Sequence, residues 1–186
     1  MLTDIQIESM CEKMHIPLEA VCFKNDLPPL KYNRAYVLNM ADEYSEEGIP
    51  SPGTHWVALQ IHVQKGSDGV AMPMYVDSFG VGPPVEVSRA VERFCGKKLP
   101  WSSKALQALQ SDCCGFYALA WLHFINAFRM RRGHIYTDTE GFLDMFIDLN
   151  TSVDFKRNEF ILQHFFRSDN PAERLPVTLT DTITAF

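Results

Sequence analysis

The chain has 186 residues and a mass of 21.2 kDa, and 46% of its residues are hydrophobic, 22% charged and 12% aromatic. That length fits one domain whose core can stand without metal or disulfide staples, and the composition excludes wholesale disorder. With 17 basic against 23 acidic residues the formal charge is −6, so the field of the whole molecule repels nucleic acid, which is not expected as a partner.

The first residues, 1–14, carry acids among their apolar side chains instead of a basic stretch followed by an apolar one, and no apolar run approaches the roughly 18 residues of a membrane span. The chain is therefore expected to be neither secreted by a signal peptide nor inserted in a membrane. Five cysteines, at positions 11, 22, 95, 113 and 114, show no C-x-x-C pair and no histidine spaced for zinc. Free thiols in a reducing compartment follow, with no metal and no cofactor expected. Lys97 with Lys98, and Arg129 with Arg131 and Arg132, are the two basic clusters. The second follows a helical run, where cations complement the negative end of a helix dipole.

In chain order, Ile5, Ile7, Met10, Cys11 and Met14 recur with helical spacing, capped by Thr3 or Asp4 and stopped before Pro17, which predicts a helix over 4–15. Beyond Pro28 and Pro29, the short aromatic and apolar segment 35–40 reads as a buried strand. An acidic loop over 42–52 then leads to Gly53, Thr54 and His55. From 55 to 63 the residues alternate, with Val57, Leu59, Ile61 and Val63 on one face and Trp56, Ala58, Gln60 and His62 on the other. A loop with Gly66 and Gly69 separates this strand from a second over 74–79, which Gly80 ends, and the two should pair as an antiparallel hairpin. Residues equidistant from such a turn face each other, and residue 66 lies midway between His55 and Asp77. The segment 85–94, after Pro83 and Pro84, is predicted helical, and the nearly all-apolar 115–129 is the core helix. Further helices are expected over 139–149 and 155–166, and the tail from about 170 to 186 reads as loosely held. These elements predict an α+β fold of one domain spanning 1–186, with a central, mainly antiparallel sheet of about five strands and the Cys114 helix packed on one face.

Chemistry gathers at three of these places. Cys114 falls where the polar loop of Gln110, Ser111 and Asp112 meets the start of the core helix. There the unpaired backbone N–H groups and the positive end of the dipole favour thiolate over thiol, and Gly115 lets the backbone approach a substrate carbonyl. Asp77 is an acid among apolar strand residues, which costs free energy unless it is paired, and His55 on the adjacent strand is the natural partner. His62 has the opposite strand parity to His55 and so cannot share its site. Read apart, each residue has a bland alternative: a buried inert thiol, a histidine that begins a strand, an acid satisfied by a neighbour.

The order of His55 and Trp56, then Asp77 within YVDSFG, then Gln107 ahead of Asp112, Cys113, Cys114 and Gly115, resembles the adenovirus-type (adenain-like) cysteine proteases and their relatives that cleave ubiquitin-like proteins. The likeness runs from the first helix to about Phe128. It implies a papain-like, adenain-type fold in which the cysteine before the glycine, Cys114, is the nucleophile, His55 the general base and Asp77 its orienting acid. It further implies Gln107, seven residues before Cys114, as the oxyanion donor in preference to Gln110, and Trp56 as a substrate-binding aromatic over a narrow channel that admits Gly. The activity implied is endopeptidase cleavage of capsid or other viral precursor polypeptides, after Gly-containing motifs. The setting would be the virion and host cytoplasm of a small DNA virus or virophage. The same likeness raises a peptide activator joined by a disulfide, for which Cys95 lies in roughly the right region, although that thiol reads here as structural or incidental. Rival expectations keep the trio but change the reaction: removal of a ubiquitin-like modifier, or acetyl transfer. A non-enzymatic binding domain is the remaining alternative.

Overall fold

The computed structural model describes residues 1–63, 69–129 and 134–166. The tail expected to be loosely held, Arg131 and Arg132, and Gly66 lie outside the described residues. Within them the fold is α+β, with five helices and one four-stranded mixed sheet. No helix among the described residues is long and apolar enough to cross a membrane.

Helix α1 (Asp4–Lys13) starts from a capping box, Thr3 Oγ accepting from the Gln6 N–H while Gln6 Oε1 accepts from the Thr3 N–H, and it buries Ile7, Met10 and Cys11. Strand β1 (Leu18–Phe23) was not anticipated. It pairs in parallel with β2 (Arg34–Asn39) at the edge of the sheet, every residue half-buried, so its sequence carries no clear alternation. Antiparallel pairing then continues from β2 to β3 (Trp56–Val63) and from β3 to β4 (Ala71–Val76), giving the order β1-β2-β3-β4. The sheet thus has four strands instead of about five, and two of its three pairings are antiparallel.

Strand β4 begins three residues earlier than the expected 74, because it runs straight through Pro73, opposite Ile61, and it ends at Val76. Proline donates nothing to a ladder and is tolerated on an edge strand such as this one. The early end leaves Asp77 in the turn that follows, where its carbonyl accepts from the Gly80 N–H.

The sheet divides two cores. On one face Tyr36, Leu38, Val57, Leu59, Ile61 and Tyr75 pack with Val87 and Val91 of α2 (Val85–Cys95). On the other, Val37, Trp56, Ala58, Met72, Met74 and Val76 meet α1 and α3 (Cys114–Arg129), with α4 (Ile135–Leu143) and α5 (Phe155–His164) outside α3. The alternation read along 55–63 is therefore the alternation of two buried faces. Helix α3 is nearly all apolar because it lies between the sheet and the outer helices, with Trp121 and Leu122 fully enclosed. Helix α4 starts four residues before the expected 139 and stops at Leu143. The chain after it is held instead by side chains, Ile147 N–H donating to Asn158 Oδ1 and Ala105 N–H to Asp148 Oδ1.

Candidate active site

The site lies where the ends of β3 and β4 meet the start of α3. His55 is the residue just before β3, and its carbonyl accepts from the Met40 N–H at 2.8 Å. Its placement depends on Asn39, whose buried Oδ1 accepts from the N–H groups of both Ala41 and Thr54 and so closes the acidic loop onto the strand end. Gly53 crosses this amide with φ near 79°, and a Cβ there would collide with it. Neither role of Asn39 was legible in the sequence, since nothing periodic marks a loop-closing amide.

The His55 ring is fixed on two sides. Its Nε2 lies 2.8 Å from Asp77 Oδ1, and the Phe79 ring stacks on it with centroids 4.5 Å apart. Phe79 is a site residue that the sequence reading missed, although it lies inside the quoted YVDSFG segment. Asp77 is itself locked, because Oδ1 also accepts from the Phe79 N–H at 2.7 Å. With Nε2 engaged, Nδ1 is the ring nitrogen left for the thiol of Cys114, which interacts with the same imidazole. Burial alone would pull the His55 pKa down. The hydrogen bonds to Asp77 and Cys114, with their negative charge, outweigh it and raise the value to about 9.

Register accounts for how His55 and Asp77 meet. Ala58 faces Val76, so a continued ladder would set Asp77 opposite Val57, two residues beyond His55. The two are not direct cross-strand partners, but they lie near the same end of the sheet, as expected. They share the strand ends, and the turn after β4 brings the carboxylate back to the ring.

Cys114 is the first residue of α3 and is buried, as is Cys113 before it. The Cys113 carbonyl accepts from the N–H groups of Phe116 and Tyr117, which makes Cys113 the cap of the helix and leaves the Cys114 N–H in the unpaired first turn. No acid occupies that first turn, where the positive end of the helix favours negative charge. Burial pushes the Cys11 and Cys22 thiols up to about 12 and the Cys113 thiol up to about 11, which holds them protonated. Of the two adjacent cysteines, only Cys114 meets an imidazole.

The strand ends and the helix start are bolted together by residues 78 and 107. The Ser78 carbonyl accepts from the N–H groups of Leu106 and Gln107, and Ser78 Oγ donates to Gln107 Oε1 at 2.6 Å. Gln107 Nε2 donates one hydrogen to the Ser111 carbonyl at 2.6 Å. An amide nitrogen carries two hydrogens, so a second remains for another acceptor. Gln107 is buried and Gln110 is exposed, so the loop turns Gln107 inward.

Trp56 adjoins His55 but points into the α3-side core, 7% exposed, with its indole N–H donating to the Leu2 carbonyl at 2.8 Å. Leu2 also covers Gly115, where a Cβ would come within 3.1 Å of the leucine side chain. Cys95 is a half-buried free thiol at the end of α2 whose pKa burial raises, with Lys97 opposing. A groove of about 670 Å³ lies between Asp42, Tyr44, Glu46, Glu47 and Ile49 of the loop that precedes His55, and none of His55, Asp77, Cys114 and Gln107 lines it. No family model matches the chain, and no curated protein matches it.

Proposed function

We propose that this chain is a cysteine endopeptidase of the adenovirus type, with Cys114 as nucleophile, His55 as general base and acid, and Asp77 as the group that orients the imidazole. The observation that carries the reading is the His55 ring fixed by Asp77 Oδ1 at 2.8 Å, with its pKa raised by Asp77 and by Cys114, the thiol at the start of a helix. His55 takes the thiol proton, the sulfur attacks the scissile carbonyl carbon, and the resulting oxyanion is met by the free Gln107 Nε2 hydrogen and the Cys114 backbone N–H. Collapse breaks the C–N bond, and His55 returns the proton to the leaving amine. Water, deprotonated by the same imidazole, then cleaves the thioester and frees the thiol.

The substrates we infer are capsid or other viral precursor polypeptides cut after Gly-containing motifs, in the virion and host cytoplasm. This inference follows from the likeness of the chain, from the first helix to about Phe128, to the adenain-like enzymes. Trp56 would serve as a wall of the substrate channel through its ring, since its N–H is already engaged by Leu2.

A peptide aldehyde or vinyl sulfone ending in Gly tests the assignment, with the adduct mapped by mass spectrometry. The expected adduct is on Cys114 alone. Modification centred on Cys113, or an unmodified protein, would overturn it. Turnover of a ubiquitin-like conjugate in place of short Gly-containing peptides would move the substrate to the deconjugating class.

A further inference from the structure

Helix α5 reaches into the loop ahead of Cys114 with two buried side chains from adjacent positions. Asn158 is fully enclosed and donates Nδ2 to the carbonyls of Leu106 and Ile147. Glu159 is 7% exposed, and its Oε1 accepts from Ser111 Oγ at 2.8 Å. A carboxylate buried this deeply costs free energy unless its partner needs an acceptor. Ser111 is such a partner, because it serves the site twice. Its carbonyl accepts the Gln107 Nε2 hydrogen at 2.6 Å, and its Oγ lies 3.4 Å from the Cys113 N–H, which donates to it. A hydroxyl has one hydrogen and two lone pairs, while an ionised carboxylate only accepts. Glu159 therefore fixes which way the Ser111 hydroxyl points: its hydrogen goes to α5 and its lone pairs face the Cys113 N–H.

We propose that Glu159 is a positioning residue that acts through Ser111 to align the Gln107 amide and the Cys113–Cys114 backbone with the reacting carbonyl. The catalytic part of this proposal rests on the peptidase reading. The brace itself does not. Glu159 touches no reacting atom, and its influence passes through one serine to both groups that would hold the oxyanion.

The experiment compares the parent with Glu159→Ala, Glu159→Gln and Ser111→Ala, first by hydrogen exchange of the amides at 111–115 and then by peptide turnover. Glu159→Ala should speed exchange at 113–114 while the rest of α3 stays protected. It should lower kcat about 10-fold or more with KM little changed, as loss of a hydrogen bond to a charged group implies. Glu159→Gln keeps an acceptor oxygen and should restore most of both. Ser111→Ala should match Glu159→Ala, and the double variant should be no worse than either single one, because both break the same chain. Unchanged exchange in Glu159→Ala would overturn the proposal. So would faster exchange with undiminished turnover. A parent that shows the expected exchange pattern but cleaves no peptide would overturn the peptidase reading and still support the brace.

Discussion

His55 stands just before β3 and His62 one residue before its end, and each has an acid nearby on a neighbouring element: Asp77 for the first, Asp138 of α4 for the second. At the His62 end the ring is 2% exposed, its Nδ1 lies 3.2 Å from Asn33 Oδ1, and the same oxygen accepts from the Val63 N–H. His62 shares with Ile125, Asn126, Ile135 and Asp138 a cavity of about 10 Å³. That volume holds no more than about one water molecule. At the His55 end the ring meets a thiol and a helix start, and the loop beside it opens into a groove. A histidine with an acid nearby is common to both ends. What differs is the part of α3 that arrives: its first turn, with unpaired N–H groups and Cys114, or its later turns, whose backbone groups bond within the helix. Under the proposed function, the difference between the two ends would be set by where the helix begins relative to the strand end.

The sharpest way to break this comparison is to truncate both histidines. His55→Ala should lower turnover on the order of 10⁴-fold with little loss of stability. His62→Ala should leave turnover within a few-fold and destabilise the fold by about 2 kcal/mol, through a cavity and lost hydrogen bonding in the core. Peptide hydrolysis together with urea unfolding reads both. If His62→Ala abolished turnover in a folded protein, the two ends would not be separate.

The acids extend the test. Asp77→Asn should slow the chemical step about 10²- to 10⁴-fold, since Asn can satisfy the geometry but cannot stabilise the imidazolium. It should also lower the His55 pKa from about 9, because the hydrogen bond and charge of Asp77 help raise it. The His55 ring protons, followed by NMR against pH, measure this directly. An unmoved midpoint would mean that another group holds the ring.

Much of this site was legible in the sequence, and the reason is local. Cys114 could be placed at a helix start because a polar loop gives way to an apolar run within a few residues. His55 and Asp77 could be brought together because they flank one hairpin. The missed features are long-range or aperiodic. Strand β1 is a half-buried parallel edge whose pattern carries no face. The offset between His55 and Asp77 is one of register, since the pairing of Ala58 with Val76 is centred one residue beyond position 66, which no local pattern announces. Asn39, Phe79, Ser78 and Glu159 act through contacts between residues that no repeat relates. The paired helix over 155–166 was expected, but nothing in its spacing showed that Asn158 and Glu159 face the loop before Cys114.

The choice between two glutamines sharpens the picture of the helix start. If the proposed function holds, Gln107→Ala should cost about 10²- to 10³-fold in rate by removing the proposed oxyanion donor. It should also loosen the bolt between Ser78 and Ser111. Gln110 is exposed, so Gln110→Ala should change neither rate nor stability by more than about 0.5 kcal/mol. Single-turnover kinetics on both variants decides between them. A larger loss for Gln110 would move the oxyanion site to the outer part of the loop.

The smallest effect expected is a pH slope in stability, and its sign identifies the His55 end. The folded pKa of about 9 exceeds the ordinary histidine value of about 6.5, so between these values the folded chain keeps a proton that the unfolded chain has released. The stabilisation is thus fully present below pH 6.5 and is lost as pH rises toward 9. Because part of the raise comes from the Cys114 thiolate, whose own proton the pair would share, the slope is read in Cys114→Ala by urea unfolding between pH 6.5 and 8, for a His55 side chain that is 13% exposed. Measurement stops at pH 8 because the buried thiols of Cys11, Cys22 and Cys113, whose pKa values are all raised, begin to contribute a slope of the same sign above it. His55→Gln should flatten the window and Asp77→Asn should flatten it in part. A slope that persisted unchanged in His55→Gln would place the titrating group elsewhere and remove the electrostatic half of the distinction between the two ends of β3.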